Sequence, residues 1–459
     1  MKNVLVISQR FAPENVIAAI RFTKMVKYLA RTKKFHFWII YIGQNEDIMK
    51  DELLQNDIEG IEEYVTCLPI YADKKFLKKI KKSFSQKSKN IVTSNKQTES
   101  ASQKDIYYSI QKNFVSCDQR GIVGAVKRLF GRLCLAVNDV YDLTFEMAFA
   151  QKGVKLCKQI PMDDIDVMIS TYGQVGSLML ALRLKNIKKG LNWIVDYRDP
   201  VRAASFIKKK VLGRIVSKAD EKAKFITGVT KSCIGSGKHL EKFYVIPNSY
   251  DREDIEGICS VQNEKLTICY TGSLYYNKSD MTPLLKIIHE LSEENKLNKK
   301  KIRITYAGPH GHSLKNLAKR YELEEILDYR GKIPRKESLQ IQKQSDILCA
   351  LTWNNIGNDE ILTGKVLEYF MMQKPIFAIV SGNKPESLLK RIINEAHVGY
   401  CLEEAECEKY YEEAKEWFLD RYLEFMESGQ ITFEPEERIL EKYSSEKMAE
   451  SFGKLIEKC

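Results

Sequence analysis

Apolar residues in this chain alternate between short continuous runs and stretches with helical spacing. An apolar run covers residues 4–8, apolar positions recur every three or four residues over 18–30, and a second run covers 37–42. Short apolar runs are typical of parallel strands covered on both faces, and the three-to-four spacing indicates a helix. The order strand, helix, strand predicts a βαβ unit and hence a doubly wound α/β domain.

The same alternation continues to the C-terminus and predicts two domains. A polar stretch at 251–264 indicates a linker, and the last helix is expected at 444–458. We therefore predict two Rossmann-like halves with boundaries at 1–250 and 265–435, followed by a C-terminal segment, 436–459. Further strands are predicted at 166–170, 193–200, 225–229, 244–248, 266–270, 302–307, 326–331, 346–351 and 376–380.

Residues 74–150 depart from the strand–helix rhythm. They hold a lysine run with apolar residues at helical spacing, a polar tract (TSNKQTESASQK) and a second basic amphipathic stretch (GIVGAVKRLFGRLC). One interpretation is a solvated helical insertion. The other is a contact with an anionic membrane surface, because basic amphipathic helices bind acidic lipid.

Length and charge limit the class of protein. A chain of 459 residues exceeds one ordinary core, and a formal net charge of +12 favours anionic partners without choosing among them. Eleven cysteines, without a C-x-x-C pair or zinc-like spacing, suit free thiols in a reducing cytoplasm. The N-terminus has too short an apolar run for a signal peptide. We expect a cytoplasmic protein, with peripheral contact at the inner face of the cell membrane at most.

The most informative motif is the segment at 360–375, EILTGKVLEYFMMQKP. Thr363 and Gly364 predict the start of a helix, where unpaired N–H groups and a partial positive charge favour phosphate. Glu360 precedes this turn, and Glu368 lies one turn into the helix beside Lys365. Two carboxylates on either side of a phosphate site match the layout of a nucleotide sugar, with its sugar, diphosphate and ribose.

A second candidate loop follows the first strand of the second half. Gly272 and Ser273 end that strand, and Lys278 comes six residues after Gly272. A glycine in a strand-to-helix turn lets backbone N–H groups approach a phosphate, and a lysine neutralises it. Turn glycines and solvated lysines are common, so this loop gains weight only from lying at the same sheet edge as the 360–375 motif.

These motifs resemble those of GT-B glycosyltransferases, specifically the family 4-like group, over nearly the whole chain. TGKVLEYFMMQKPIFAIV is similar to the family's K-x-x-E-Y segment, and Glu360 and Glu368 keep its E-x7-E spacing. YTGSLYYNK is similar to the G-r-l-x-x-x-K loop, WIVDYRDP to a D-f-R-D-P-w segment, and FAPENVIAAIRFTKMVKYL to the first loop and helix. The resemblance implies two Rossmann-like domains facing a central cleft, with the C-terminal helix crossing back to the first.

The resemblance also implies roles for individual residues. Glu368 would hold the ribose hydroxyls and Glu360 the donor sugar, with Ile333 near the base. The diphosphate would be stabilised by a group of residues in the second half, and no metal or other cofactor is expected because fixed positive charge and amides suffice. The group comprises Gly272 through its amide, Ser273, Lys278, Thr363, Gly364 and Lys365.

On the acceptor side, the resemblance places Glu14, Arg21, Tyr172 and Arg198. Glu360 and Asp199 are the candidate catalytic carboxylates. For Asp199 the alternative is that Asp196 and Asp199 pair with Arg198 and Arg202 to brace the cleft.

This chain departs from the family pattern at several positions. Ser273 replaces the usual loop arginine, Gln373 replaces a glycine before Lys374, and Ala18 and Ala19 replace a glycine pair. The turn at 170–177 has no histidine, so no histidine base is assigned.

The resulting expectation is transfer of a sugar from a nucleotide-diphosphate sugar to a hydroxyl of a lipid-linked or surface-polysaccharide acceptor, such as lipopolysaccharide or capsule, with retention of configuration. No nucleic acid partner is expected. The alternatives are a nucleotide-sugar epimerase or phosphorylase of the same fold and a non-catalytic, membrane-associated binding subunit.

Overall fold

The first domain is built on a sheet of seven parallel strands. The computed structural model describes residues 1–43, 50–71, 122–203, 206–274, 280–309, 311–357 and 359–459. The strand order is β3-β2-β1-β4-β5-β6-β7. The strands are β1 (Lys2–Ile7), β2 (Phe35–Ile42), β3 (Val65–Ile70), β4 (Val167–Tyr172), β5 (Asn192–Tyr197), β6 (Phe225–Gly228) and β7 (Phe243–Val245), with helices α1 (Ile17–Arg31), α2 (Glu52–Glu59), α3 (Ile122–Leu156), α4 (Gly176–Ile187) and α5 (Phe206–Lys222).

The second domain has a six-stranded parallel sheet in the order β10-β9-β8-β11-β12-β13. Its strands are β8 (Leu266–Thr271), β9 (Ile302–Ala307), β10 (Leu327–Gly331), β11 (Ile347–Trp353), β12 (Ile376–Ser381) and β13 (Gly399–Glu403). Its helices are α6 (Thr282–Glu293), α7 (Gly311–Arg320), α8 (Arg335–Gln344), α9 (Gly364–Met372), α10 (Leu388–Ala396) and α11 (Cys407–Ser428); α12 (Glu437–Glu441) and α13 (Ser445–Glu457) follow.

Both sheets have a topological switch point, where the strand order reverses. It lies between β1 and β4 in the first sheet and between β8 and β11 in the second. Ligands of open α/β sheets bind outside the carboxyl ends of strands at such points. Strands β4, β8 and β12 are buried along their whole length, because helices cover both faces of each sheet.

The predicted doubly wound fold with two Rossmann-like domains is confirmed. The sequence pattern did not predict β3 and β13, each of which is one of the two edge strands of its sheet; the other edge strands, β7 and β10, were predicted. The middle of β3 and the start of β13 are only partly buried, so neither has the continuous apolar run of a central strand. The apolar signal on which the prediction depends is therefore weak in these two strands.

Most of the predicted basic insertion, including the lysine run and the polar tract, lies outside the described residues. Its described end is the long helix α3, which packs along α4. Leu135, Phe149 and Ala150 of α3 are buried, and the last two belong to the apolar core beneath the first sheet. The carboxylate of Glu146 accepts hydrogen bonds from the amide of Gly176 and from Gln9. This half of α3 is therefore an integral layer of the first domain.

The C-terminal helix α13 packs on the first domain, as the GT-B resemblance implies. Its apolar face joins the core around α1, and the rings of Phe452 and Phe22 lie 5.9 Å apart. Burying one such side chain stabilises a fold by about 2 kcal/mol. The chain passes between the domains twice, near Tyr250 and near Ser445. These two segments are hydrogen-bonded to each other, because the Ser445 amide donates to the Tyr250 carbonyl at 2.8 Å. Across the described ranges, no helix has the length and apolar character needed to span a membrane.

The polar stretch between the domains is held by buried ion pairs. Lys24 on α1 is fully buried, and its Nζ lies 2.7 Å from Asp57 Oδ2 and 2.6 Å from Asp251 Oδ2, with Asp254 also in contact. Lys27 contacts Asp57 and Asp251, each at 2.7 Å. Burial raises the pKa of Asp251, but the two lysines outweigh it and hold that pKa well below its usual range. The linker is thus polar in sequence yet fixed to α1 by charge.

The position before Lys374, where the family has glycine, adopts the conformation that favours glycine. Gln373 ends α9 with φ 58° and ψ 53°, in the left-handed region. A left-handed residue with a Cβ is strained, and glycine relieves that strain at a helix C-terminus. The side-chain amide nitrogen of Gln373 is also buried without a hydrogen-bond partner among the described residues.

We predict that Gln373→Gly stabilises the protein by about 1 kcal/mol, because the left-handed strain exceeds the added entropy of glycine in the unfolded chain. Urea unfolding followed by circular dichroism measures the change. Gln340→Gly, in the exposed interior of α8, is the control and should destabilise the protein by about 1 kcal/mol. Destabilisation by both variants would contradict the strain argument.

We predict that Asp251→Asn destabilises the protein by about 3 kcal/mol at pH 7, because it leaves buried lysine charge without a partner. Since the folded-state pKa of Asp251 is depressed, its contribution is complete above the unfolded pKa of about 4 and is lost as the pH falls below it. The difference from the parent should therefore shrink by about 1 kcal/mol between pH 5 and pH 3. Exposed Asp163→Asn is the control, and a difference that is constant with pH would refute the assignment.

Candidate functional site

A cavity of about 270 Å³ lies between the domains, at the carboxyl ends of β8 and its neighbours. Ile17 and Ser249 line it from the first domain and the linker. The second domain contributes Gly272 at the end of β8, Ile333 after β10, and the start of α9. Six of the residues predicted to bind the donor line this one cavity, namely Gly272, Ser273, Ile333, Gly364, Lys365 and Glu368.

Helix α9 begins as the 360–375 motif predicts, but its cap differs. Thr363 is the residue before the helix and has an extended conformation, yet its hydroxyl makes no capping hydrogen bond; its carbonyl accepts from the Val366 amide instead. Thr363 does not line the cavity, whereas Gly364 does. A Cβ on Gly364 would lie 2.9 Å from the Ile17 side chain, so glycine allows the two domains to approach closely here.

Glu368 is a cavity carboxylate held by three side chains of the second domain. Its Oε2 accepts from Lys365 Nζ at 2.7 Å and from Gln342 Nε2 at 3.0 Å, and Arg335 Nε lies 3.5 Å from Oε1. Burial raises the pKa of Glu368, and the two cations and the amide more than offset it, so the net pKa is lowered. The group is therefore an ionised acceptor for hydroxyl donors.

Arg335 is a cavity residue that the sequence interpretation missed. It is the first residue of α8, only 8% exposed, and its Nη2 lies 2.7 Å from Asp254 Oδ2. Its Nε and Nη1 are buried and make no hydrogen bond within the described ranges, because Glu368 and Asp51 lie 3.5 Å away. A signal was available in the sequence, because Arg335 is a cation two positions after Ile333 and shortly after the predicted strand at 326–331. A buried guanidinium with unused N–H groups is suited to an anionic ligand.

The loop after β8 supports only part of its predicted role. Gly272 and Ser273 line the cavity. The Gly272 amide, however, donates to the Ala307 carbonyl at 2.8 Å, so the prediction that this amide binds a phosphate is wrong for the observed conformation. The reason is that the first residue after β8 still pairs with β9. Lys278 lies outside the described residues.

Glu360 lies in a second cleft, which adjoins the first cavity. This cleft is about 680 Å³ in volume, and Asn248 lines both spaces. Glu360 has a left-handed backbone, with φ 56°, and its Oε1 lies 3.9 Å from Arg391 Nη2. Glu360 and Glu368 therefore face different compartments of the same interdomain space.

Arg21, predicted on the acceptor side, has a structural set of contacts. Its Nη2 donates to Asp196 Oδ1 at 2.7 Å and to the Ile246 carbonyl at 2.9 Å, and its Nη1 donates to the Pro247 carbonyl at 2.8 Å. Asp196 also accepts from Thr227. The prediction that Asp196 pairs with Arg198 or Arg202 is therefore wrong, because the partner comes from α1, distant in sequence.

The other predicted acceptor-side residues lie away from both cavities. Glu14 is buried and pairs with Arg10, and burial raises the pKa of Tyr172 to about 12. Arg198 Nε lies 3.4 Å from Asp199 Oδ2, and the Asp199 side chain is 61% exposed. Asp199 is thus paired as the bracing alternative expected, and it does not line the donor cavity.

A cluster of three carboxylates in the interface has the spacing of a metal site. Asp57, Asp251 and Asp254 are buried close together. The ammonium of Lys24 contacts all three, so the counter-charge of this cluster comes from the protein itself.

Sequence comparison identifies no relative: neither a protein-family model nor a curated protein matches the chain. Structural comparison finds proteins with a similar fold. The fold is similar to that of Anabaena HepE, solved in complex with UDP and glucose, with a TM-score of 0.55 and 9% identity over the whole of both chains. It is also similar to sucrose-phosphate synthase from Thermosynechococcus elongatus, with a TM-score of 0.53 and 10% identity over 100% of this chain and 99% of the other.

A third similar structure is that of an E. coli protein bound with UDP-2-fluoro glucose. Its TM-score is 0.57 and its identity 13%, over 100% of this chain and 99% of the other. Identities this low bear on architecture alone. Together with the two parallel sheets and the returning C-terminal helix, these similarities establish that the chain has the GT-B fold, while the family 4-like assignment stays a prediction.

Proposed function

We propose that this protein is a glycosyltransferase that moves a sugar from a nucleotide-diphosphate sugar to a hydroxyl of an acceptor. The observation that carries the proposal is the convergence of Glu368, Lys365 and the start of α9 in the interdomain cavity, opposite Gly272 and Ile333. This arrangement lies at the switch point of the second sheet, in a fold shared with a protein solved with UDP and glucose.

The donor is proposed to lie along the second domain with its nucleotide in the first cavity. Ionised Glu368 accepts the ribose hydroxyls, and Ile333 packs against the base. Lys365 and the first amides of α9 face the diphosphate, where a helix N-terminus favours negative charge. The sugar then points toward Glu360 in the adjoining cleft, since Asn248 lines both spaces.

Arg335 is proposed to supply the charge that the serine at position 273 lacks. Arg335 lines the same cavity as Lys365, and its Nε and Nη1 make no hydrogen bond among the described residues, with Glu368 and Asp51 3.5 Å away. Two preorganised cations in a site shielded from water stabilise a departing diphosphate without the reorganisation that solvent would need.

The transfer breaks one bond and forms one. The bond from the anomeric carbon to the diphosphate oxygen breaks, and its electron pair leaves on the diphosphate. The acceptor hydroxyl oxygen bonds to the anomeric carbon, and its proton passes to the departing diphosphate. Glu368, Asp251 and Asp254, the carboxylates of the first cavity, are all ion-paired, so none is assigned as a base. The family resemblance favours retention of configuration and a lipid-linked or surface-polysaccharide acceptor.

A panel of nucleotide sugars tests the proposal. We expect at least one UDP-, GDP- or dTDP-sugar to raise the melting temperature of the full chain and to be hydrolysed slowly without acceptor. The stabilisation should follow mass action and reach about 2.7 kcal/mol at a concentration of one hundred times Kd. The absence of any shift across the panel at millimolar concentration would overturn the donor-site assignment.

The two motif carboxylates should separate nucleotide binding from sugar use. Glu368→Gln should weaken binding of the free nucleoside diphosphate about tenfold or more, because it removes a charged hydrogen-bond acceptor for the ribose. Glu360→Gln should leave that affinity within about twofold while lowering donor hydrolysis. Isothermal titration calorimetry and a hydrolysis assay measure the two effects.

The matched control is Glu325→Gln, an exposed carboxylate at the opposite end of the second sheet. Circular dichroism verifies that each variant is folded, since Glu368 also pairs with Lys365. Equal loss of nucleotide affinity in the Glu360 and Glu368 variants would show that the two residues do not face different parts of the donor.

A further inference from the structure

The cleft that holds Glu360 is strongly basic. Six basic side chains and three carboxylates line it. The cations come from three separate parts of the fold: a first-domain loop after β6, the start of α10 in the second domain, and the C-terminal segment. They are Lys231, Arg391, Arg438, Lys442, Lys447 and Lys454.

Half of these cations have no carboxylate partner among the residues that the structure describes. Lys447 and Lys454 share Glu450, at 3.0 and 2.7 Å, and Arg391 is 3.9 Å from Glu360. Lys231, Arg438 and Lys442 make no ion pair within 4 Å in the described part of the chain, although Glu441 also lines the cleft. Like charges that converge on one concave surface raise its potential and concentrate anions there.

The position of this charge relates it to the donor sugar. Glu360, the residue proposed to face that sugar, lines the basic cleft, and Asn248 joins the cleft to the donor cavity. A second substrate that reacts at the sugar must approach from this side, because the first cavity lies on the nucleotide side. The charge pattern therefore acts on the acceptor rather than on the diphosphate.

We propose that the cleft is an anion-binding site that selects an acceptor bearing a phosphate or carboxylate group close to its reactive hydroxyl. The proposal rests on the function proposed above, because the bound anion is an acceptor only if the protein transfers a sugar. The anion-binding site itself depends only on the charges and shape of the cleft. The anionic group is either part of a soluble acceptor or the phosphate of a lipid carrier.

The first experiment titrates inorganic phosphate and, separately, hexose 6-phosphate into the full-length protein by calorimetry at low and physiological salt, with the neutral hexose as reference. We expect binding of the anions alone, weakening as salt rises. The triple variant Lys231→Gln, Arg438→Gln, Lys442→Gln should lower the affinity about tenfold or more.

The matched control removes the same charges elsewhere. Lys300→Gln, Arg303→Gln and Lys319→Gln lie at the amino ends of the second sheet's strands, away from the cleft, and should leave anion affinity unchanged. Lys365→Gln tests the donor cavity as the rival site. Loss of phosphate binding in Lys365→Gln, with retention in the triple cleft variant, would overturn the proposal.

Vesicles distinguish the two sources of the anion. Sedimentation with phosphatidylglycerol vesicles, compared with neutral phosphatidylcholine vesicles, reports binding of a lipid phosphate. Vesicle binding that the cleft variant abolishes, without binding of free phosphate, supports a lipid carrier; binding of soluble anions alone supports a soluble acceptor. If neither probe binds, or if the cleft variant changes neither, the anion site is refuted.

The outcome is separable from that of the donor proposal. If nucleotide sugars bind and neither the soluble anions nor the anionic vesicles bind, the donor site stands and the cleft proposal falls. If the anions bind in the cleft and no nucleotide sugar does, the anion site stands, but its assignment to an acceptor falls with the proposed function.

Discussion

The buried ion network at the domain interface is the constraint on which the rest of the structure depends. Lys24 places a positive charge among carboxylates from α2 and the linker, and Arg335 extends the network from Asp254 to Glu368. Removing charges from water is costly, so such groups are stable only when each has a partner. The network therefore ties together the first domain, the linker and the part of the second domain that lines the first cavity.

This linkage has a consequence for function. The carboxylate proposed to hold the ribose is in ionic contact with Arg335, whose other partner lies in the linker between the domains. The proposed nucleotide site and the interdomain linker are thus in electrostatic contact through one side chain.

The cleft that holds Glu360 differs from the interface network in how its charges are balanced. In the interface network cations and carboxylates alternate and are buried, so the charges satisfy one another. In the Glu360 cleft the cations are exposed and outnumber the carboxylates. The first pattern stabilises a fold; the second attracts a ligand. The same composition, rich in lysine and acidic residues, supports both.

The amino-acid pattern alone predicts the fold class, most strands and the 360–375 segment, whose helix start lines the first cavity. Short apolar runs and helical spacing are local patterns, and the glutamates of the 360–375 motif are neighbours along one turn and helix. Strands β3 and β13 were missed because their partly buried positions interrupt the continuous apolar run of a central strand.

Which charged side chains pair with each other is known only from the tertiary structure. Arg21 pairs with Asp196 across 175 residues, Arg335 reaches Glu368, and the Gly272 amide is consumed by the neighbouring strand. Pairings of this kind depend on how helices and strands from different parts of the chain come together, and no local pattern encodes them. The physical reason is that burial gives a charge its strength, and burial is a property of the assembled fold.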